Sequence, residues 1–277
     1  MLSLYPKYKN RLMLIAGVYL GAFALLYMLK PGMNPIIFLL VLLFGLLVLI
    51  SSQVLNAANM HTRELNRLYN ELDAEGFLRD YMPHLSVNLR SANLYLMVRL
   101  HISNAYVALG RFDDAVKLLS SLEIREDKPE KMLIYRFAVV SNLCYCYEQK
   151  NDVEASQKYL DELLDLKKQL DALQEKKPPK KRMAFNTTLN EQCLHFLKTG
   201  KADIDVLRTQ VQQNNTQQLH RITTSLWIAR AMLAEQSRRR EAENILNQIV
   251  KLAPHLYPGK AAQALLDEMT GKLAEKA

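Results

Sequence analysis

RLHISNAYVALGRFDDAVKLLSSL, from Arg99 to Leu122, is the stretch of this chain that decides the fold. Apolar residues recur at three- and four-residue spacing on both sides of Gly110, which is the pattern of two amphipathic helices. Gly110 suits a sharp turn between them because glycine tolerates positive φ angles. Ala115 carries only a methyl group, so the two helices can approach each other closely. The stretch therefore predicts a helical hairpin.

The chain after residue 56 shows the same helical pattern of apolar residues. Glycines are few there, prolines cluster in breaks such as Pro178-Pro179, and no stretch alternates apolar and polar residues in the manner of a strand. Between the breaks, apolar residues keep the spacing of a helix. These observations predict an all-α fold for residues 56–277.

Arg99–Leu122 resembles a tetratricopeptide repeat, a unit in which two helices meet at a tight turn. Six residues match the pattern of that repeat: Ala105, Tyr106, Gly110, Phe112, Ala115 and Leu119. The resemblance implies an α-solenoid, in which successive helical pairs stack on one another. It also implies that the soluble part of the chain binds an extended peptide or helix in a concave groove.

Weaker copies of the repeat can be traced elsewhere. They are Leu65–Leu85 with a turn at Gly76, Val140–Leu164 with a turn at Asn151-Asp152, Asn190–Val211 with a turn at Gly200, and Ser225–Pro254 with Ser237 at the turn. In the third of these, Asp205 stands where a small residue belongs. The intervals between copies exceed the ~34 residues of a regular repeat. We therefore expect an irregular solenoid over residues 56–277, closed by a polar capping helix at 259–277 that keeps the stack soluble.

Two uncharged apolar runs precede this domain. They are Leu12–Leu29 (LMLIAGVYLGAFALLYML) and Pro35–Leu55 (PIIFLLVLLFGLLVLISSQVL), joined by a turn at residues 30–34. A helix rises ~1.5 Å per residue, so about 20 apolar residues cross a hydrocarbon layer. The sequence predicts a transmembrane helical hairpin at residues 12–55, after an N-terminal tail at residues 1–11.

The flanking charges predict the orientation of the hairpin. Basic residues precede the first run and follow the second, whereas the connecting turn holds one: Lys7, Lys9 and Arg11, then Arg63 and Arg67, against Lys30. The positive-inside rule then puts both termini in the cytoplasm, and we expect an integral protein of a bacterial cell membrane. A cleaved signal peptide is the competing interpretation of the first run.

Gly17 and Gly21 form a G-x-x-x-G pattern within the first run. Small residues at this spacing let helix backbones approach closely, which permits a homo-oligomer in the membrane. The alternative is that this face packs against the second run of the same chain. Neither run contains an ionisable side chain, which argues against a transport path, so we interpret the hairpin as an anchor.

No catalytic pattern is present in the sequence. The six histidines are scattered singly, and the chain contains neither a phosphate-binding glycine loop nor a G-x-S-x-G motif. Cys144 and Cys146 lie two residues apart, and Cys193 is alone, which does not provide the spacing of a zinc site. We expect no catalytic residue, no metal and no cofactor, and hence a protein that is not an enzyme.

The groove of a tetratricopeptide-like stack would be lined by four residues, carried over by their offsets: Asn104, Tyr145, Asn190 and Trp227. Trp227 is the only tryptophan and would be an anchor for a partner if exposed, or would pack between repeats if not. The clamp by which some members of the family hold a terminal carboxylate is poorly matched, since Leu100 and Ser141 stand where basic or amide groups would be required.

A basic loop follows the second helical pair: Lys176, Lys177, Lys180, Lys181 and Arg182. Such a run can bind anionic lipid or RNA, and it can equally be a solvated connection between repeats. Lys and Arg outnumber Asp and Glu by only 36 to 28, and half of the net charge of +8 comes from the first 55 residues. The soluble part therefore lacks the concentrated positive charge of a nucleic-acid-binding protein.

These observations lead to one functional hypothesis with two rivals. We expect a membrane-anchored adaptor or scaffold that holds an unknown protein partner at the cytoplasmic face of the bilayer. One rival is a structural homo-oligomer formed through Gly17 and Gly21. The other is a sensor of anionic lipid or nucleic acid that uses the basic loop.

Overall fold

A computed structural model describes residues 2–29, 32, 34–86, 92–122, 129–178, 183–212, 217–235 and 238–271. All regular structure in these ranges is helical, and they contain no strand. The prediction of an all-α protein is confirmed. The helices are α1 Pro6–Leu29, α2 Pro35–Tyr69, α3 Ala74–Tyr81, α4 Ala92–Ala108, α5 Phe112–Ser120, α6 Pro129–Gln149, α7 Val153–Glu175, α8 Thr188–Thr199, α9 Ile204–Gln212, α10 Gln218–Ala234, α11 Arg239–Leu252 and α12 Tyr257–Met269, with a 3₁₀ helix at Met82–Ser86.

Helices α1 and α2 pack against each other, and both are long and apolar enough to cross a membrane. The most apolar 18-residue window of each helix contains no buried residue. Asn34 begins α2, because its side-chain oxygen accepts a hydrogen bond from the Ile36 amide at 2.9 Å and Pro35 fits the first turn. The chain thus begins with two candidate membrane-spanning helices, as the sequence predicted.

Helix α2 extends well beyond the predicted end of the second run at Leu55. It continues without a break to Tyr69, 35 residues in all, which corresponds to about 50 Å. Its second half buries one face against the rest of the protein, with Gln53, Ala57, His61, Glu64 and Leu68 at helical spacing. The predicted boundary at residue 55 therefore marks the end of the apolar composition and not the end of the helix.

The predicted turn at Gly76 is wrong. Gly76 lies inside α3, and the chain turns between α2 and α3 at residues 70–73, where Leu72 has a φ of 61°. Asp73 starts α3 by accepting a hydrogen bond from the Gly76 amide at 2.9 Å, and Arg67 binds Asp73 at 2.6 Å. An N-capping carboxylate held by an arginine decides this boundary, whereas the glycine does not.

The small-residue face of α1 does not pack against α2. No atom of the described chain lies within 4 Å of where a Cβ would be on Gly17 or Gly21. Gly45 of α2 is instead covered by Tyr19, whose hydroxyl donates to the Val41 carbonyl at 3.1 Å. The two helices therefore meet through Tyr19 and Gly45, and the interpretation that Gly17 and Gly21 form the contact within the hairpin is wrong.

The helical hairpin predicted from Arg99–Leu122 is present as α4 and α5. Gly110 has a φ of 78° in the turn, and Ala105 and Ala115 are fully buried where the two helices meet. Helices α6 and α7 form a second hairpin, with Asn151 at a φ of 56°. Asp152 then accepts a hydrogen bond from the Ala155 amide at 3.0 Å, which caps α7.

Helices α8 and α9 depart from this arrangement. Gly200 ends α8 with a φ of 71°, but α9 packs mainly on α10 and only slightly on α8. Asp205 is exposed and pairs with Arg208 at 3.5 Å, whereas Ile204 and Leu207 are buried. Asp205 occupies the position where the repeat pattern has a small residue, and its carboxylate keeps that face of α9 in the solvent. Helices α8 and α9 therefore do not pack into a close hairpin.

The C-terminal helices return to the start of the domain. Helix α12 packs on α11 and also on α4, while α10 touches α2. Tyr257 at the start of α12 contacts the ring of Phe112 with 4.8 Å between centroids, and the Gln218 amide donates to the Asn70 side chain at 3.3 Å. Helix α12 begins two residues before the predicted capping segment, of which residues 272–277 lie outside the described residues. The array thus closes on itself around a central space.

Candidate binding pocket

The central space is a cavity of about 340 Å³. Residues of α4, α6, α8 and α10 form most of its wall, with Tyr69 at the end of α2 and Tyr257 at the start of α12 completing it. Because alternate helices of the array supply the lining, the cavity is a direct consequence of how the array closes. Its volume lies at the lower end of the range for ligand pockets.

One wall is a chain of hydrogen bonds between polar side chains. The Asn142 amide donates to the Asn104 carbonyl oxygen at 2.6 Å, and the Asn104 amide donates to the Tyr69 hydroxyl at 2.7 Å. The Tyr69 hydroxyl also lies 2.8 Å from Nδ1 of His101. Each partner fixes the orientation of the next, so the polar atoms on this wall are held in place before any ligand arrives.

A second part of the wall is built on Asn190. Its Oδ1 accepts a hydrogen bond from the Ser141 hydroxyl at 3.2 Å, and its Nδ2 faces both carboxyl oxygens of Glu148 at 3.4 and 3.5 Å. Glu148 lies behind the wall with 0% exposure, and the Cys144 thiol donates to it at 3.2 Å. Burial raises the pKa of Glu148 to about 8, so this carboxyl is protonated at neutral pH.

The cavity is uncharged throughout. None of its described lining residues is Asp, Glu, Lys or Arg. Burial lowers the pKa of His220 and raises that of the Tyr145 hydroxyl, so both remain neutral in this wall. The pocket therefore suits a polar ligand without charge, and it offers no cation to a phosphate or carboxylate.

Three of the four residues predicted for the groove come together here. Asn104, Tyr145 and Asn190 all line the cavity. Trp227 does not line it. This α10 side chain is 2% exposed and packs against Phe196 of α8, with 5.8 Å between ring centroids. The interpretation of Trp227 as an exposed anchor is wrong, and the alternative, that it packs between neighbouring helices, is confirmed by its contact with α8.

Further lining residues were missed by the sequence reasoning: Asn142, Asn186, Gln217, His220, Thr223 and Tyr257. Asn142 had a usable signal, because it lies three residues before Tyr145 and hence on the same face of α6. Tyr257 had none, since its place in the wall depends on the long-range return of α12. Of the two positions expected for clamp residues, Leu100 is buried between α4, α5 and α6 and does not line the cavity, whereas Ser141 does.

The remaining predicted groups lie elsewhere. Cys144, Cys146 and Cys193 are buried free thiols, and no cluster of metal-ligating residues occurs in the part of the chain that the structure describes. Of the basic loop, Lys176 is exposed at the end of α7 and Lys177 is half-buried. Lys180, Lys181 and Arg182 lie outside the described residues.

Comparison with protein-family models, with curated proteins and with solved structures finds no match for this chain. The fold thus defines a class by its own features, an all-helical protein with two N-terminal helices long and apolar enough to span a membrane.

Proposed function

We propose that this protein is a non-enzymatic, membrane-anchored adaptor whose tetratricopeptide-like helical array binds a short, extended segment of a partner protein in the central pocket. The observation that carries the proposal is the uncharged cavity whose wall holds fixed amide side chains on three of its helices. An amide side chain offers both a donor and an acceptor, as a peptide group does. Such walls complement the backbone of an extended chain.

The size of the cavity favours a short extended segment over a helix. A helix with its side chains is about 10–12 Å across, and a groove that holds one must be long and open. The return of α12 onto α4 closes this array around a space of about 340 Å³. A few residues of extended chain fit such a space, and their peptide groups can reach the amide side chains of its wall.

The anchoring role is supported by the surface of α1 and α2. Large apolar side chains are exposed along both helices, among them Leu14, Val18, Leu40 and Leu47. An apolar surface of this extent in water is unfavourable, because each Å² of it costs about 25 cal/mol. A lipid bilayer removes that cost and fixes the array beside the membrane.

The orientation is supported by contacts of the segment before α1. Leu4 is fully buried, and the Tyr5 hydroxyl donates a hydrogen bond to Glu64 in the extension of α2. Both ends of the hairpin are therefore packed against the helical array, which favours two spans with both ends on one side of the membrane. The flanking basic residues favour the cytoplasmic side. These contacts also argue against removal of the first run as a signal peptide, since cleavage would take Leu4 and Tyr5 out of the core.

Replacing Thr223 by phenylalanine is expected to abolish partner binding. Thr223 lines the cavity and is half-buried, and an added ring would occupy space that the partner needs. In affinity purification from detergent-solubilised membranes, a protein recovered by the wild type should fall at least about tenfold with Thr223→Phe, as a loss of ~1.4 kcal/mol or more implies.

Thr209→Phe is the matched control, because Thr209 is exposed on α9 and its hydroxyl bonds only to the Asp205 carbonyl of the same helix. It should recover the partner as the wild type does. Equal recovery by a folded Thr223→Phe variant, or no protein above background with the wild type, would show that the pocket does not hold a partner.

A further inference from the structure

A second cavity, of about 310 Å³, lies beside the central pocket, and Tyr257 contributes to the walls of both. Most of its lining is apolar, from Phe196 and Leu197 of α8, Leu233 of α10 and Leu265 of α12. The polar groups of the lining belong to Gln149, Asn151, Trp227, Arg230 and Tyr257. The cavity therefore has an apolar portion and a portion rich in hydrogen-bond donors.

Two of these donors lack an acceptor. Trp227 is 2% exposed and Gln149 is 9% exposed, yet Nε1 of Trp227 and Nε2 of Gln149 have no hydrogen-bond partner among the described residues. A buried donor without an acceptor costs ~1–3 kcal/mol. Both residues line the cavity, so an acceptor held there that reaches either donor would remove part of this cost.

Arg230 adds a positive charge to the same wall. It is half-buried, and its guanidinium lies 4.6 Å from the centre of the Trp227 ring. Its hydrogen bonds are long, 3.4 Å to the Gln149 carbonyl oxygen and 3.3 Å to the Tyr257 hydroxyl. None of the ion pairs found in the described ranges includes Arg230, so its charge has no counter-ion there.

The geometry points to a binding site for a monocarboxylate with a branched apolar body, whose carboxylate meets Arg230, Trp227 and Gln149 and whose body rests on the leucine and phenylalanine walls. A guanidinium matches the plane of a carboxylate and binds it through paired hydrogen bonds. The described lining contains no acidic side chain that would repel such a ligand. It also contains a single cation, which suits one negative charge better than the two of a phosphate ester.

This chemistry has two sources, the C-terminus of a polypeptide that ends in an apolar residue and a free branched carboxylic acid. Three small probes separate them. N-acetylleucine represents the chain terminus, 4-methylpentanoate carries the same apolar body without a peptide group, and N-acetylleucinamide is the chain terminus without its charge. The fluorescence of Trp227 reports binding directly, because it is the only tryptophan in the chain.

With the full chain in dodecyl maltoside, the carboxylates are expected to change the Trp227 emission in a saturable manner, with a Kd in the millimolar range typical of ligands this small. The amide should produce no saturable change. Tighter binding of N-acetylleucine assigns the site to a chain terminus, and tighter binding of 4-methylpentanoate assigns it to a free acid. Equal responses to acid and amide, or none to either acid, would overturn the proposal.

Two variants test the same site in different ways. Arg230→Gln should weaken carboxylate binding by about tenfold or more, as expected for the loss of a charged hydrogen-bonding group. Gln149→Glu should also abolish binding, because it puts an internal carboxylate beside Arg230 in place of the ligand's. Arg230 keeps a partner in this variant, so the fold should be retained. The control is Arg63→Gln, which removes an exposed charge from α2 and should leave binding unchanged. Unaltered binding in both pocket variants would contradict the assignment.

Discussion

Replacing Glu148 by glutamine is expected to remove a large pH-dependent loss of stability between about pH 4.5 and pH 8. Burial raises the pKa of Glu148 from 4.5 to about 8 in the folded protein. A group whose pKa is raised on folding contributes stability that is present below its unfolded pKa and is lost as the pH rises through the folded pKa. Wild-type protein must therefore become less stable across this range, relative to a variant that cannot ionise.

The expected size of the effect follows from the linkage between protonation and folding. Each tenfold change in the protonation ratio corresponds to about 1.4 kcal/mol, so the free energy of unfolding of Glu148→Gln should gain on the order of 4 kcal/mol over the wild type between pH 4.5 and pH 8. The amide keeps an acceptor for the Cys144 thiol and the Asn190 amide, which both bond to Glu148. Denaturant unfolding at several pH values, followed by Trp227 fluorescence, measures the difference.

Glu154→Gln is the control for this experiment, because Glu154 is exposed at the start of α7. It should lack the gain in stability expected of Glu148→Gln. Titration of the buried histidines is common to all three proteins and cancels in the comparison. A Glu148→Gln variant whose advantage does not grow with pH would show that this carboxyl is not held protonated in the fold.

Replacing Gly259 by alanine is expected to destabilise the closed array, although alanine normally stabilises a helix by ~1 kcal/mol relative to glycine. A Cβ on Gly259 would lie 1.9 Å from the Ala253 carbonyl oxygen and 2.7 Å from its carbonyl carbon. These are backbone atoms, which cannot rotate away as a side chain can. We expect a loss of about 2–3 kcal/mol in the free energy of unfolding, the usual cost of an overpacked contact.

Ala264→Gly on the exposed face of the same helix separates propensity from packing. It should cost only the ~1 kcal/mol of an ordinary glycine in a helix. Gly259→Ala should also weaken binding at the central pocket, because α12 carries Tyr257 into the wall. Chemical unfolding of both variants provides the comparison, and a Gly259→Ala protein as stable as the wild type would contradict this account of the α11–α12 corner.

Local signals in the sequence predicted the local structure well. Gly110 and Ala115 predicted the α4–α5 hairpin because a turn of positive φ and a close helix contact each demand a particular kind of residue. The two apolar runs predicted α1 and α2 for a similar reason, since a spanning helix needs a known length. The extension of α2 beyond Leu55 could not be predicted from composition, because its buried face includes the polar residues His61 and Glu64. Both are hydrogen-bonded by the Tyr5 hydroxyl from the other end of the hairpin.

The candidate site could be predicted only in part. Asn104, Tyr145 and Asn190 lie on the first helices of three predicted pairs, and a stacking argument brings them to the same cavity. Closure of the cavity depends instead on the contact of Tyr257 with Phe112, and its neutrality depends on the burial of His220 and Tyr145. Both are properties of the packed array and have no counterpart in a single segment of sequence.

The most direct test of the central claim is photo-crosslinking from the rim of the central pocket in native membranes. Gln217 is exposed at that rim and can carry a benzoylphenylalanine without loss of a side-chain cap, while Gln263 on the outer face of α12 serves as the control position. The account predicts a protein adduct from position 217 that maps to a short extended segment, disappears with Thr223→Phe and is absent from position 263. No adduct from position 217, or the same adducts from both positions, would contradict it.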